Sequence, residues 1–490
     1  MKKTLFTLLA FAAMTLVACG QPSGDNKPSG DESKGFVKEA TTIKFVNTYG
    51  KNYQPKLNAW IEEFKQIEPN VTVENTVLNG NYDTIHSQTI SDMGTGEYGD
   101  LVICYADHVV DYMEYGKAVN FEKFINNAEY GLTEEEFGDY IPGFVQEGQE
   151  YLVPGTYSMP FSKSSEAMFY NADVLVGLNL AAQDPTINGG QPLTTDYLDN
   201  LTWEELFDHL APAILAKNDS LDAQHKIIKE GGDVYGVVGY DSVDNLFITI
   251  AEQYGYGYTS VNKETGEASL DFNNENMRNL AKKFNEASRL HYLVPAGEVE
   301  NNSYCSSFFV DNQLLFNIGS TAGVSHEVAS DFDVNVTSLP HAANGKRGNI
   351  SQGPSLCILN HNNDENRQLA AWLFYKFLTT AERSAEWATT VGYLPVRTTS
   401  LTSEEYMEYT TTEGKPAKSL ELLSAKNCLY STAALRSAFS TPAFKGSSSA
   451  RKQCGALMLK ILLEPTANVT DAWVKTQFDT AENNIRTNMA

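Results

Sequence analysis

Between residues 41 and 105 the chain alternates short β-branched runs with an amphipathic helical stretch, and that rhythm confines it to very few folds. The run "TTIKFVNTYG" is a strand ending at Tyr49-Gly50. In "LNAWIEEFKQIEPN" the residues Leu57, Trp60, Ile61 and Phe64 share one helical face, and Pro69-Asn70 is the stop. "VTVENTVL" is a second strand, and "GDLVICY" a third, apolar throughout as in a strand covered on both faces. Parallel strands joined through helices cross over with a right hand into an open α/β sheet, whose ligands lie beyond the carboxyl ends of the strands. Tyr49, Tyr82 and the segment Tyr105 to Asp107 are therefore expected at a crevice.

Further along, "YLVPGTYSMPFSKSSEAMFYNADVL" changes character, with Pro154, Pro160 and a Ser-rich loop, and is expected to carry the chain into a second lobe. "LTWEELFDHLAPAI" predicts a helix with Thr202 as N-cap and Glu205 completing a capping box, and with Leu206, Phe207 and Leu210 on its buried face. Trp203 in its first turn is expected in the core. "QLLFNIGSTAGV" is an apolar strand, while "VNVTSLP" and "LCIL" read as returning strands. "ENRQLAAWLFYKFL" places Leu369, Leu373, Phe374 and Phe377 on one face, and Thr379 to Glu382 is expected to cap the next helix. Segments near 178–200 and 211–235 look like insertions.

The N-terminus carries Lys2 and Lys3 before an apolar stretch, Leu5 to Val17, too short to span a bilayer. That is the pattern of a signal peptide. It ends in "LVACG", which resembles a bacterial lipobox, so Cys19 is expected to carry lipid and to become the first residue. "QPSGDNKPSGDESKG" then follows as a polar tether that buries no core. About 455 residues remain, enough for two or three lobes. With 36 basic residues against 62 acidic ones, the formal charge of −26 repels nucleic acid. Cys104, Cys305, Cys357, Cys428 and Cys454 are widely spaced without metal-ligand spacing and read as buried apolar residues, one disulfide remaining open.

Taken in order, "WIEEFKQIEPNVTV", "GDLVICYADHVVDYMEYGKAVNFEKFI", "MPFSKSSEAMFYNADVL", "LTWEEL", "FVDNQLLFNIGS" and "AAWLFYKFLTTAERSAEWATTVGYLPVR" resemble the extracellular solute-binding proteins of bacterial ABC importers, in the group that takes sugars, oligosaccharides and glycerol phosphates. The resemblance implies an α/β, two-lobed periplasmic-binding-protein-like fold with hinge crossovers and a ligand cleft between lobes. Expected divisions are a signal peptide (1–18), a lipid-anchored tether (19–40), a first α/β lobe (41–160), a second, mostly helical α/β lobe (161–378) and C-terminal helices spanning hinge and lobes (379–490). The pieces are most similar to the branch that binds glycerol-3-phosphate and its diesters. Through that likeness Tyr82 in "NGNYDTI", Asp107, Ser164 in "PFSKSSEAMFYN", Ser320 in "LFNIGST", Gly353 in "SQGPSL" and Tyr393 in "TVGYLPV" fall on ligand contacts. Where the branch has an arginine, "FSTPAFKGSSSAR" offers Lys445, with Arg436 and Arg451 nearby. A lysine lacks the bidentate fork of arginine, which weakens the case for phosphate.

The chemistry of a sugar site points to the same places independently. Sugar rings need aromatic plates ringed by carboxylates, amides and hydroxyls, and tyrosine supplies both a face and a hydroxyl. Tyr49, Tyr82, Tyr105, Tyr240 with Asp241, Tyr254 and Tyr393 stand where strands give way to loops. A phosphate would call instead for backbone N–H groups such as those after Gly319-Ser320-Thr321, plus a cation. An enzyme is the rival class, but no G-x-S-x-G elbow, HExxH or P-loop is present. The expected function is capture of a carbohydrate, or alternatively of glycerol-3-phosphate or a glycerophosphodiester, for delivery to a membrane permease. A surface adhesin or a glycoside-acting enzyme is the remaining alternative. Neither cofactor nor metal is expected; the partners are the solute, the permease subunits and the membrane reached through Cys19, and the expected state is a monomer outside the cell membrane.

Overall fold

The computed structural model describes residues 35–177, 186–222, 226–229, 234–298, 304–411 and 419–489. Cys19, the signal segment, the tether as far as residue 34 and parts of both insertions lie outside the described residues. Strand β1 (Thr41–Asn47), helix α1 (Gln54–Ile67) and strand β2 (Val71–Val77) form the first βαβ unit, with β1 and β2 parallel from Thr41↔Val71 to Asn47↔Val77. Helix α1 buries Leu57, Trp60 and Phe64. Each such side chain contributes roughly 1.5–3 kcal/mol by leaving water. Helix α2 (Tyr82–Met93), β3 (Leu101–Cys104) and α3 (Ala106–Glu114) continue the alternation. The first sheet has the order β2-β1-β3-β13-β4, where β4 is Met159–Pro160 and β13 is Ser355–Ile358. The returning β13 runs antiparallel to β3, with Ser355 opposite Cys104.

A second five-stranded sheet is built from β5 (Glu166–Asn171), β6 (Gly236–Tyr240), β9 (Leu293–Pro295), β10 (Leu314–Ser320) and β11 (Val334–Thr337), in the order β11-β5-β10-β6-β9. Strand β5 is antiparallel to both neighbours, whereas β10, β6 and β9 are parallel. Between β6 and β9 a small antiparallel hairpin projects, β7 (Thr259–Asn262) with β8 (Glu267–Leu270). Helices Val243–Tyr254, Glu275–Arg289, Ser447–Leu463 and Asp471–Met489 share one hydrophobic core with this sheet. Its core therefore runs from Met168 to Ile485 in sequence.

Each sheet has its own hydrophobic core, and the chain passes between them. One passage is residues 161–165, from β4 to β5. A second is 351–354, from β12 (Asn349–Ile350) to β13, and the chain crosses again between Val396 of the first core and helix Ser447–Leu463 of the second. The first two passages touch, since Ser164 N–H donates to Gln352 O and Gln352 N–H to Ser164 O, both at 2.8 Å. Beside them β14 (Ala438–Phe439) pairs with β12, and Ser351 N–H donates to Phe439 O at 2.7 Å.

Two local expectations change. Thr202 Oγ1 accepts from Glu205 N–H at 3.0 Å, but the Glu205 carboxylate does not return the bond; it accepts from Tyr197 Oη at 2.9 Å instead. The next helix, Ala381–Val391, is capped by Thr380 rather than Thr379, whose hydroxyl turns inward to Tyr375 O and Tyr140. Trp203 is buried, its Nε1–H donating to Gln253 Oε1 at 2.8 Å. All five cysteines beyond the N-terminal segment are buried, with no disulfide between them. No described helix is long and apolar enough to cross a membrane.

Candidate functional site

The carboxyl end of β3 and the end of β6 face a shared cavity of about 920 Å³, bounded by both lobes and by the crossover segments. From the first lobe come the opening turns of α2 and α3. Asn81 caps α2, its Oδ1 accepting from Thr84 N–H at 3.0 Å, and this sets Tyr82 and Asp83 at the cavity wall. The Tyr82 ring meets Tyr105 edge-on at 5.0 Å. Asp107, in the first turn of α3, also lines the cavity. His108 is buried behind it, Nε2 lying 3.4 Å from Asp83 Oδ1.

The second lobe contributes the segment after β6. Asp241, Asp244 and Asn245 stand at the start of helix Val243–Tyr254. Ser320 ends β10, and its Oγ caps a short 3₁₀ turn by accepting from Ala322 N–H at 3.3 Å. Helix Ser447–Leu463 adds Arg451 and Lys452. Arg451 donates to Asp244 Oδ2 at 3.0 Å and to Asn245 Oδ1 at 2.6 Å, while Lys452 reaches across to Asp83 Oδ2 at 3.8 Å. Asn245 in turn donates to Glu166 Oε1 at 3.1 Å, and Tyr240 Oη to Glu166 Oε2 at 2.7 Å.

These environments separate the carboxyl groups. The hydrogen bond with His108 and the charge of Lys452 bring Asp83 down to about 2. Burial acts upward on Asp244 too, but Arg451 and Ser242 outweigh it and hold the group below the ordinary value. Burial lifts Glu166 to about 8 and Asp241 to about 6 against their hydrogen bonds, and lifts Glu327 as well, aided by Asp241. Seven carboxyl side chains line the cavity against one arginine and one lysine. Both of those cations already face an acid.

Of the residues expected from sequence, Tyr82, Asp107, Asp241 and Ser320 line this cavity. Tyr393 stands behind Tyr82, the two hydroxyls 2.7 Å apart. Ser164 and Gly353 lie in the paired crossovers, outside the lining; Gly353 has φ +78°, and a Cβ there would meet Ser162 O at 2.1 Å. Tyr49 is packed away under Trp387, ring centroids 4.9 Å apart, with its hydroxyl on Ser162 Oγ. Tyr240 is fully buried and acts on the site only through Glu166. Lys445 is exposed and outside the lining. The arginine that enters the cleft is Arg451, six residues later in the second turn of helix Ser447–Leu463. Asp83, Glu166, Asp244, Asn245, Glu327 and Lys452 were not singled out as ligand contacts by sequence. The motif "GYDSVDN", a strand running into acidic helix-start residues, is the local signal for two of them.

A family model for bacterial extracellular solute-binding proteins matches residues 59–413. The chain belongs to that family. As a solute-binding protein of the ABC-importer class it binds and releases rather than catalyses. It is 23% identical over 385 residues to the sn-glycerol-3-phosphate-binding periplasmic protein UgpB of Salmonella typhimurium, covering 76% of this chain and 78% of that one. Against UgpB of Escherichia coli it is 22% identical over 377 residues, 74% and 76% of the two chains. Among solved structures, UgpB from Mycobacterium tuberculosis in complex with glycerophosphocholine superposes with a TM-score of 0.66 at 15% identity, covering 91% of this chain and 98% of that one. The sugar-binding protein MalE of Xanthomonas citri gives 0.65 at 15% identity, with the same coverage. The superpositions establish the two-lobed solute-binding fold.

Proposed function

We propose that this solute-binding protein captures a carbohydrate in the interlobe cavity and hands it to a membrane permease, while Cys19 holds it at the outer face of the membrane as a lipid-anchored monomer. The carrying observation is that the cavity offers many acceptors and, among the described residues, no uncommitted cation: seven carboxyl groups line it, burial keeps a proton on Glu166, Glu147 holds Lys163, and the lining arginine and lysine are engaged by Asp244 and Asp83. A dianionic phosphate would enter at a cost, because carboxylates within contact distance repel it with little screening. A neutral polyol instead finds acceptors for its hydroxyls and the faces of Tyr82 and Tyr258 for its C–H surface. Ligand contacts to both lobes favour the closed state, which the permease then recognises.

A glycerol phosphate is the second reading, favoured by Arg451 and Lys452 lying together on one cleft helix and by the glycerol-3-phosphate-binding relatives. A thermal-shift panel on residues 36–490 separates the two. At about 100 times its dissociation constant a ligand stabilises the native state by roughly 2.7 kcal/mol. Stabilisation by neutral oligosaccharides supports the first reading; stabilisation by glycerol-3-phosphate or glycerophosphocholine alone replaces it with the second. Membrane release of a Cys19→Ala chain tests the anchor.

A further inference from the structure

Within the cavity one pair of acids differs from the rest. Asp241 Oδ1 accepts from the backbone N–H groups of Cys305 (2.7 Å) and Ser306 (3.3 Å). Its Oδ2 takes a long contact of 3.4 Å from Asn317 Nδ2, and the same nitrogen donates to Glu327 Oε1 at 2.8 Å. A single amide thus bridges two carboxyl groups. Glu327 is 2% exposed, lines the cavity, and its Oε2 is buried without a hydrogen-bond partner. Gly319 keeps the space between the pair open, since a Cβ on it would stand 2.9 Å from both Asp241 Oδ2 and Glu327 Oε1.

No lysine or arginine answers this pair among the described ion pairs. Arg451 is engaged by Asp244 and Lys452 by Asp83, which leaves His326, whose ring bears only weakly on Asp241. An unpartnered buried carboxyl oxygen forfeits a hydrogen bond, and two adjacent acids without a cation hold a proton in its place. A cation with N–H donors meets both needs at once. The described residues hold no group of three or more His, Cys, Asp or Glu side chains arranged for a metal ion, so the geometry lacks a coordination shell. Tyr304, 68% exposed and also lining the cavity, stands next to Cys305 and supplies an aromatic face of the kind that attracts ammonium groups.

We propose that Asp241 and Glu327 form a subsite for a protonated amine, so that the solute is a carbohydrate bearing an ammonium group with N–H donors. Glu327 Oε2 accepts one of those hydrogens, Asp241 Oδ2 supplies the second acceptor, and Tyr304 covers the charge. This inference rests on the carbohydrate reading given above and narrows it to amino sugars.

Isothermal titration at about pH 6.5, where the sugar amine carries its proton, against α- and β-linked glucose oligomers and their 2-amino-2-deoxy counterparts of equal length tests it. The expected result is at least tenfold tighter binding of an amino form than of its neutral twin. In Glu327→Gln and Asp241→Asn, each checked for a cooperative melt, that ratio should fall to threefold or less. Equal or tighter binding of the neutral oligomers by the unaltered protein overturns the subsite and leaves the carbohydrate reading standing. Binding of glycerophosphocholine alone also overturns it, because a trimethylammonium group has no N–H for Oε2. If no saccharide binds, the carbohydrate reading itself fails and the subsite with it.

Discussion

Glu166 opens β5 at the cavity wall and offers the sharpest perturbation. It is 1% exposed, receives Tyr240 Oη and Asn245 Nδ2, and burial carries its carboxyl from an ordinary 4.5 to about 8, with Asp244 and Asp241 adding to the rise. Between those two values the folded chain binds a proton that the unfolded chain has released. Stability is therefore fully present below about pH 4.5 and is lost as pH rises through the folded value. From pH 5 to pH 8.5 the loss from this one group amounts to about 4 kcal/mol. For a folded unit of about 450 residues that is a fall of about 4 °C in Tm. Asp241, lifted to about 6, loses its share in the lower part of the same window. Asp83, held at about 2, acts oppositely, its contribution present above about pH 4 and lost towards pH 2. Thermal melts of the unaltered chain and of Glu166→Gln, followed by circular dichroism across pH 5 to 8.5, isolate the group. The variant should keep about 4 °C that the parent loses. Parallel curves for the two proteins would refute the argument that burial holds a proton on Glu166.

Two further changes probe the cleft and the crossovers. Tyr82→Ala removes an aromatic face and the hydroxyl held by Tyr393, and should weaken ligand binding by about 1–3 kcal/mol with the fold intact; unchanged affinity by calorimetry takes Tyr82 out of the site. Gly353→Ala forces a Cβ against Ser162 O in a left-handed backbone position and should cost at least about 2 kcal/mol. A melt within 1 °C of the parent, roughly half the shift that cost implies, would show that the crossovers have room to move.

Much of the fold is legible because its signals are local. The β-branched runs at Thr41, Val71 and Leu101, the apolar face of Leu57, Trp60 and Phe64, and the Pro-rich change before residue 161 each carry their meaning within ten residues. The cavity is harder to read because its walls come from segments hundreds of residues apart. Tyr49 and Tyr82 have similar polar neighbours, yet Trp387 covers one while the α2 cap turns the other outward. Lys445 and Arg451 differ by six positions; the left-handed Gly446 between them starts the helix whose face carries Arg451 into the cleft. Glu205 satisfies the capping spacing, but the nearby Tyr197 hydroxyl takes its carboxylate. Local patterns name the residue types, and long-range packing decides which of them meet.

The order of strands has a consequence for the nascent chain. In the first sheet β13, made from residue 355 onward, lies between β3 and β4, so the edges left by both stay unpaired until about three quarters of the polypeptide exists. The second core waits longer, since Phe478 and Ile485 belong to it. Non-local pairing of this kind makes folding slow and leaves early segments pliable. A chain bound for the far side of a membrane gains from that delay, because it must pass the translocation channel before its lobes lock. Protease protection of the first core in arrested nascent chains should accordingly appear only once Val396 has cleared the ribosome, and that of the second only after Ile485 has done so; protection of either core in a chain stopped at residue 350 would contradict this order of assembly.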